Sequence, residues 1–298
     1  MEHMEEILNC PVCNHNQFSK HLNCKDHTVS GEQFAILICN SCGFLFTNPR
    51  PDKTRIGHYY KSEAYISHSD TSKGLLNALY KAVRRLTLAS KYRLIKPYLI
   101  DEPTLLDIGA GTGYFLKYCK DKGVYVSGIE PDPDARAAAQ RLHGIALKTE
   151  QSLKEFNAAS FSVITLWHVL EHLHDLNDNI SSIKRLLKDS GKLIVAVPNH
   201  TSYDAQYYKE YWAAYDVPRH LYHFNPESIG RLFEKHGFVL ETTKPMKWDA
   251  YYVSMLSEKY KSGSTNYLNS FFRAFVSNAR AHHSRFSSQI YILSKNRI

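Results

Sequence analysis

Four cysteines near the N-terminus stand in two pairs whose spacing suits metal binding. Cys10 and Cys13 form the first pair and Cys39 and Cys42 the second, with two residues between the members of each pair. Such a spacer lets both thiolates turn towards one point, and two pairs complete a closed tetrahedral zinc site with no position open for chemistry. The pattern predicts a structural zinc ion in a ribbon over residues 1–48, with a redox dithiol or disulfides as the alternatives.

A glycine-rich turn follows a predicted strand in the middle of the chain. Glycines alternate with other residues from Gly109 to Gly113, two positions after Asp107. Glycines let the backbone approach a ligand, and a helix that begins there presents free N–H groups. A dinucleotide fingerprint starting at Gly109 requires glycine at position 114, where this chain has Tyr114, so NAD is disfavoured. The next predicted strand ends at Glu130, whose carboxylate can accept both hydroxyls of a ribose.

Histidines supply the candidate acid–base chemistry. His168 directly follows a predicted strand, at the edge where doubly wound sheets bind ligands, and we predict a catalytic role for it. Glu171 and His172 follow within one turn, and we expect them to close that turn. The order of these residues is not the H-E-x-x-H of zinc proteases, which disfavours a metal there.

Two further histidines lie in a tyrosine-rich connection over residues 199–224. Loops of this length in compact domains usually serve function, so His220 and His223, with Arg219, are candidates for catalysis or substrate contact. Hydrogen bonding that fixes the loop is the alternative. Which histidine acts as general base stays open at this stage.

The elements that must position these residues alternate between strand and helix from residue 103 onward. Strands are predicted at 104–108, 124–129, 161–167 and 192–197, with helices near 112–122, 134–142 and 176–188. This pattern is typical of a doubly wound α/β sheet. Before it, Asn48 to Pro51 predict a linker, and residues 75–95 predict a basic amphipathic helix with Leu75, Leu79, Val83 and Leu86 on its apolar face. We expect that helix to cap the next domain.

Composition sets outer bounds on the function. The chain has 298 residues, 43% hydrophobic and 22% charged, which excludes disorder as the main state. No apolar run approaches the roughly 20 residues that span a bilayer, and the N-terminus lacks the basic character of a signal peptide, so we expect a cytoplasmic protein. The net charge of +8 is concentrated in residues 49–97 and 247–298. Such flanks suit a phosphorylated substrate, an anionic membrane or a nucleic acid.

Four motifs carry a family resemblance. LLDIGAGTGYF, GIEPD, FSVITLWHVLEHLHD and GKLIVAVPN resemble, in order and spacing, the motifs of class I S-adenosylmethionine-dependent methyltransferases over about residues 98–246. The ribbon, the NPRP linker and DVPRHLYHF resemble a narrower group of zinc-ribbon methyltransferases that includes sugar C-methyltransferases. The chain lacks the large extra C-terminal domain of those sugar enzymes.

The resemblance implies a seven-stranded sheet in which residues 238–246 form an antiparallel hairpin with a last strand at 289–294. It assigns 98–298 to a Rossmann-like domain with inserted lid segments at about 199–224 and 248–286, and 49–97 to the linker and helical cap. It implies that Asp107 and the glycines line the methionine end of the cofactor, Glu130 holds the ribose, and Glu150 or Gln151 lies near the adenine. The full predicted cofactor set is Asp107, Gly109, Ala110, Gly111, Gly113, Glu130, Pro131, Glu150, Gln151 and Trp167.

Three functions compete at this stage. The chain lacks the Asn/Asp-Pro-Pro-aromatic motif of nucleic-acid amino methyltransferases after the fourth strand, so we expect methyl transfer to an oxygen or carbon of a small molecule, such as a sugar nucleotide. A peripheral membrane methyltransferase for a lipid or quinone is the second hypothesis, based on the basic helix and on apolar residues interleaved with arginine after residue 266. A zinc-ribbon module that binds RNA or protein, with a vestigial cofactor site, is the third; the acidic ribbon disfavours nucleic acid. The oligomeric state stays open.

Overall fold

The computed structural model describes residues 4–60, 75–281 and 285–296. The strands are Met4–Glu5 (β1), Phe18–Lys25 (β2), Gln33–Cys39 (β3), Leu45–Thr47 (β4), Arg50–Pro51 (β5), Thr104–Ile108 (β6), Tyr125–Ile129 (β7), Phe161–Trp167 (β8), Leu187–Pro198 (β9), Tyr222–His223 (β10), Phe238–Pro245 (β11) and Ser288–Lys295 (β12). The α-helices are Leu75–Ile95 (α1), Tyr114–Lys120 (α2), Pro133–His143 (α3), Leu176–Leu186 (α4), Tyr203–Tyr208 (α5), Pro226–Lys235 (α6), Asp249–Ser262 (α7) and Tyr267–Arg280 (α8).

The central sheet has the order β11-β12-β9-β8-β6-β7. Strands β7, β6, β8 and β9 are parallel, whereas β12 runs antiparallel to both β9 and β11. The α/β class and the C-terminal hairpin are therefore confirmed. The described residues form six strands in this sheet where seven were expected. A single parallel bridge between Ile129 and Lys148 lies beside β7, where the chain returns to the sheet edge too briefly to form a seventh strand.

The core follows from the apolar pattern of its elements. Every residue of β8 is buried, as expected for a central parallel strand covered on both faces. On α4 the residues Leu176, Ile180, Ile183 and Leu186 recur at helical spacing and are all buried. Each such side chain contributes about 1.5–3 kcal/mol through removal of apolar surface from water. This packing makes the sheet a rigid base for the loops at its carboxyl edge.

Helix α1 packs beside the sheet, but not through the face predicted for it. Leu86 is 72% exposed, which contradicts its assignment to the apolar face; the side chains at positions 75, 79 and 83 lie outside the described set. The helix instead buries Ile95 completely, and Tyr92 stacks edge-on against Tyr118 of α2 with ring centroids 5.7 Å apart. Such contacts are those of a helix that covers the next domain. Of the four residues predicted for the apolar face, Leu86 is the one whose side chain is described, and its placement on that face was wrong.

The N-terminal strands form a second sheet that the later chain completes. Its order is β10-β4-β3-β2, and β10 pairs antiparallel with β4 so that Tyr222 lies opposite Phe46 and His223 opposite Leu45. Phe44 and Phe46 are fully buried in the same apolar cluster as residues of the central sheet. The cysteine-bearing strands therefore share a core and a sheet with the segment that precedes α6.

The two expected lid segments are folded and joined through Asp204 of α5. This fully buried carboxylate accepts hydrogen bonds from Trp212 Nε1 at 2.8 Å, Ser277 Oγ at 2.7 Å and Ser287 Oγ at 2.7 Å. Its donors come from both segments and from the residue before β12. A buried carboxylate is tolerated only when it is hydrogen-bonded, so these bonds fix the two segments relative to each other. None of the helices in the described residues is long and apolar enough to cross a bilayer.

A buried ion cluster joins the N-terminal sheet to the 199–224 segment. The guanidinium of Arg219, 4% exposed, contacts Asp26 at 3.0 Å and Asp216 at 2.6 Å, and it donates to the Tyr59 carbonyl at 2.7 Å. Burial opposes its charge, but the two carboxylates raise the pKa of Arg219 above its ordinary value. Arg219 and Asp26 require each other, because either one alone would be an unpaired buried charge.

Replacing Arg219 by Ala is expected to lower the free energy of unfolding by about 3 kcal/mol, because Asp26 and Asp216 lose their buried partner. Chemical denaturation of the full chain measures this change. The matched control is Arg231→Ala, which removes an exposed ion pair to Glu227 and should cost less than about 0.5 kcal/mol. Equal costs for the two variants would contradict the assignment.

Candidate active site

The glycine-rich turn after β6 lies directly against the turn after β8. Gly109 N and Ala110 N both donate to the Ile129 carbonyl, at 2.8 and 2.9 Å, which ties the turn to the end of β7. Gly109 has φ +73°, and a Cβ at this position would lie 2.3 Å from Val169 Cγ2. Glycine is therefore required there for both conformation and space. The close approach brings the predicted cofactor turn and the predicted catalytic turn together.

Two buried carboxylates flank this glycine turn. Asp107 Oδ1 accepts a hydrogen bond of 2.6 Å from the Thr165 hydroxyl, and burial raises the pKa of Asp107 to about 6 although that bond and Lys91 oppose the shift. Glu130 accepts bonds from Gly111 N at 2.7 Å and from the Asp132 backbone at 3.0 Å, and burial raises its pKa as well. Both acids sit where a cationic, hydroxyl-bearing ligand would compensate their desolvation.

Trp167 ends β8 beside these acids. Its ring meets Phe115 edge-on with centroids 5.8 Å apart, and the Lys91 ammonium lies 4.4 Å from the Trp167 ring centroid. Burial lowers the pKa of Lys91, and the carboxylates of Asp107 and Asp249 partly offset that effect. Trp167 Nε1 is buried without a hydrogen-bond partner in the described residues. The glycine turn therefore has the apolar rings of Trp167 and Phe115 beside it, together with the unpaired Trp167 N–H group and the Lys91 ammonium.

His168 is held between two carboxylates. Its Nε2 donates to Asp249 Oδ2 at 2.9 Å, and its Nδ1 lies 3.4 Å from Glu171 Oε1. Burial opposes the charged imidazolium, but the hydrogen bond to Asp249 and the negative charge of nearby Glu171 outweigh it and raise the pKa of His168 to about 10. The residue also has φ +57°, a left-handed conformation that functional sites often hold. A histidine that is already protonated at neutral pH donates hydrogen bonds and has no free nitrogen to accept a proton. This geometry therefore favours a positioning role over the general-base role.

His220 reaches the same region from the 199–224 segment. The ligand atoms of His220, Glu171 and His172 all lie within 4.8 Å of one another. Ring centroids of His172 and His220 are 4.6 Å apart. Burial lowers the pKa of His172 to about 4, so its imidazole is neutral at physiological pH. The structure thus adds His220 to the turn after β8, a neighbour that sequence spacing did not indicate.

The side chains of His223 and Arg219 are not among the three that converge at the turn after β8. His223, 4% exposed, has its Nε2 3.1 Å from Thr47 Oγ1 in the joint between β10 and β4, and burial lowers its pKa well below the ordinary value. Arg219 is fully engaged in the ion cluster with Asp26 and Asp216. These contacts correspond to the structural alternative for both residues, and we assign neither a catalytic role.

The remaining predicted cofactor residues lie on the surface beyond β7. Pro131 is exposed and its carbonyl accepts a bond from Arg136 Nη1 at 2.6 Å. Glu150 and Gln151 are exposed at the start of the 3-10 helix Glu150–Lys154, which begins two residues after the bridge at Lys148. Their predicted place near an adenine stays a prediction.

The four N-terminal cysteines converge as their spacing predicts. The sulfurs of Cys10 and Cys42 are 3.6 Å apart, those of Cys13 and Cys39 are 3.5 Å apart, and all four ligand atoms lie within 4.8 Å. Tetrahedral zinc with Zn–S bonds of about 2.3 Å places sulfurs about 3.8 Å apart, so the cluster fits that ion. Cys24 is buried elsewhere, and burial raises its pKa to about 12, in agreement with a packing role.

Sequence reasoning missed Asp249 and Lys91 as members of the site. Asp249 is the first residue of α7, 81 positions after His168, and no local motif links the two. Lys91 was one of several basic residues on α1. Only the orientation of that helix in the folded protein places the Lys91 ammonium near the Trp167 ring. The only signal available was the placement of Asp249 in an expected lid segment.

Comparison with known proteins agrees with this geometry. A family model described as a methyltransferase domain matches residues 80–243, more than half of the chain. The chain therefore belongs to the methyltransferase domain family. Among solved structures, a SAM dependent methyltransferase from Archaeoglobus fulgidus matches with a TM-score of 0.50 at 20% identity, covering 72% of this chain and 94% of that one. A putative sarcosine dimethylglycine methyltransferase from Galdieria sulphuraria matches with a TM-score of 0.52 at 14% identity, covering 74% and 88%.

Curated relatives share the same region. A ubiquinone biosynthesis O-methyltransferase from Xanthomonas oryzae pv. oryzae is 32% identical over 105 residues, which is 33% of this chain and 44% of that protein. An uncharacterized methyltransferase from Staphylococcus carnosus is 30% identical over 111 residues, 37% of this chain and 52% of that protein. The chain thus spans about half or less of the relatives it matches. The class I S-adenosylmethionine-dependent methyltransferase family predicted from the four motifs is confirmed.

Replacing Asp107 by Asn is expected to change how stability depends on pH. The native pKa of about 6 exceeds the unfolded value of 3.8, so the folded state holds this proton more tightly, and the free energy of unfolding falls as the pH rises through this window. Between pH 5 and 7.5 the unmodified protein should lose about 1.4 kcal/mol more than the variant. Urea denaturation at both pH values measures this difference, and equal losses would contradict the buried, raised-pKa assignment.

Proposed function

We propose that the protein transfers the methyl group of S-adenosylmethionine to a hydroxyl oxygen or an acidic carbon of a small molecule, with oxygen favoured. The main support for the proposal is that the glycine turn, Asp107 and Glu130 lie next to the turn after β8 at one edge of the sheet. The similarity to a ubiquinone biosynthesis O-methyltransferase supports an oxygen acceptor.

Residues at the sheet edge fit this cofactor. Asp107 is a buried acid that a cationic group would stabilise, and Glu130 is an acceptor at the tip of β7. No atom lies within 4 Å of the place that a Cβ would take at Gly111, so the backbone there is open to close approach. The cofactor supplies an electrophilic methyl group for an in-line displacement. His168, Asp249 and Glu171 form a hydrogen-bonded and ionic row beside it that can orient an acceptor.

We further propose that the cysteine cluster binds a structural zinc ion. This proposal is supported by the sulfur separations of 3.5 and 3.6 Å and by the position of all four sulfurs within 4.8 Å of one another. The ion would stabilise the strands β2, β3 and β4, because so small a sheet has little core of its own.

Replacing Glu130 by Ala is expected to weaken binding of S-adenosylhomocysteine by at least about tenfold, because hydrogen bonds to a charged group contribute about 1.5–3 kcal/mol each. Isothermal titration calorimetry of the full chain measures it. The matched control is Glu155→Ala, an exposed acid 3.6 Å from Lys148, which should leave the affinity unchanged. Unchanged affinity in Glu130→Ala would reject the cofactor assignment, and no binding by the unmodified protein would favour the binding-module hypothesis.

A second candidate is a methyltransferase that works at an anionic membrane. Helix α8 exposes one aromatic face, defined here by Tyr267 (69% exposed), Leu268 (87%), Phe271 (62%), Phe272 (57%) and Phe275 (59%). Exposed apolar patches of this kind mark interaction surfaces, and the surrounding segment 247–298 has 8 basic and 2 acidic residues. An apolar face beside basic residues suits the boundary between lipid headgroups and acyl chains.

This candidate predicts that the protein co-sediments with vesicles containing anionic phospholipid at low salt. The double variant Leu268→Ser and Phe271→Ser should lower the bound fraction severalfold, because it removes apolar area from the exposed face of α8. Leu142→Ser, which changes an exposed leucine on α3, is the matched control and should bind like the unmodified protein. Absence of binding, or equal binding by both variants, would remove the membrane hypothesis.

A further inference from the structure

Glu171, His172 and His220 form a compact cluster at the turn after β8. Glu171 and His172 belong to the 3-10 helix Leu170–His172, and His220 comes from the lid segment 48 residues later in the chain. The Leu221 backbone N–H donates to the Glu171 carbonyl at 2.8 Å, which fixes the two segments together. One ligand atom from each of the three side chains lies within 4.8 Å of the other two.

Both imidazoles are oriented through the same ring nitrogen. His220 Nδ1 lies 2.8 Å from the Ala214 carbonyl, and His172 Nδ1 lies 3.0 Å from the Arg219 carbonyl. His172 Nδ1 also lies 2.8 Å from the Tyr60 hydroxyl. A backbone carbonyl that accepts from Nδ1 leaves Nε2 as the lone-pair nitrogen. Metal-binding histidines in proteins are held in this way.

The carboxylate of Glu171 gives the strongest evidence that this cluster binds a ligand. Its side chain is fully buried, yet neither Oε1 nor Oε2 has a hydrogen-bond donor among the described residues. Its nearest cation is His168, with Nδ1 3.4 Å from Oε1. A buried carboxylate without hydrogen bonds is costly, and such atoms in native structures call for a ligand, water or ion.

We propose that Glu171, His172 and His220 bind one divalent transition-metal ion, separate from the ion of the cysteine cluster. Two imidazoles and one carboxylate are a ligand set for such ions, and three protein ligands leave coordination positions open. The open positions distinguish this site from the four-cysteine cluster, whose ligands complete a tetrahedron.

The position of the cluster suggests what the ion contacts. The turn that carries Glu171 begins at Val169, whose side chain packs on Gly109 of the cofactor turn. On the basis of the proposed function, the ion would bind the oxygen of the acceptor hydroxyl and lower its pKa, so that the hydroxyl would lose its proton to solvent. The new oxygen–methyl bond then forms as the sulfur–methyl bond breaks, and sulfur keeps that electron pair. The acceptor class is therefore a hydroxyl compound whose oxygen can bind a metal.

Cobalt(II) titration of the purified full chain, after removal of bound metal by a chelator, tests the proposal. The unmodified protein should bind two Co²⁺ per chain. One should show intense sulfur-to-cobalt charge-transfer absorption, and the other only weak d–d bands of nitrogen and oxygen ligands. Glu171→Gln, which keeps the side-chain volume, should weaken the second site at least tenfold and leave the first. Cys13→Ser should do the reverse.

His236→Gln is the matched control, because His236 bonds to Asn177 outside the cluster, and it should retain both sites. Only thiolate-bound cobalt in the unmodified protein, or an intact second site in Glu171→Gln, would overturn the proposal. If Glu171→Gln does not fold by circular dichroism, the stoichiometry and spectrum of the unmodified protein decide alone. Titration with S-adenosylhomocysteine separates the two proposals: failure to bind it rejects the methyltransferase proposal while the cobalt spectrum still reports on the metal site.

Discussion

The buried guanidinium of Arg219 lies between Asp26 and Asp216, and the chain on either side of it contacts both the turn after β8 and the N-terminal sheet. Its own carbonyl lies 3.0 Å from His172 Nδ1, and the next residue, His220, enters the cluster at the turn after β8. Two residues later the chain pairs with β4 of the N-terminal sheet. Because a buried arginine needs both carboxylates, the N-terminal sheet and the lid segment are held in one arrangement.

The site also contains several buried ionisable groups. Asp107, Glu130 and Glu171 are each less than a tenth exposed, and burial opposes the charge of every one of them. Backbone N–H groups and a hydroxyl satisfy the first two, and the His168 imidazolium partly balances the third. If the fold could relax freely, these three carboxylates would become exposed to water. The remaining cost is the kind that a cationic cofactor or a metal ion offsets, so the same burial that lowers stability prepares the site for its ligands.

Much of the fold and part of the site followed from local sequence. The strands at 104–108 and 161–167 were predicted to the residue, because continuous apolar runs bounded by glycine and polar turns identify central strands. The cysteine cluster followed from spacing alone. The exposure of Leu86 on α1 could not be predicted from local sequence. The contacts of Ile95 and Tyr92 with the rest of the protein decide which side of the helix is buried.

Contacts between distant segments were beyond sequence reasoning. The pairing of His168 with Asp249 spans 81 residues, and the role of His223 depends on a strand that joins the N-terminal sheet. His168 was predicted from its place directly after a strand, and His223 from its place in a long tyrosine-rich connection. Only the fold shows that His168 lies between Asp249 and Glu171, whereas His223 lies in β10 where that strand pairs with β4.

The pairing of β10 with β4 also links the two proposed metal sites through the backbone. Cys39 ends β3 of the sheet that β10 completes, and His220 lies two residues before β10. Asp107 and Glu130, by contrast, are held by bonds within and between β6, β7 and β8, and none of those bonds involves the N-terminal sheet. The N-terminal sheet therefore positions His220 of the proposed metal site, whereas the central sheet positions Asp107 and Glu130 of the proposed cofactor site.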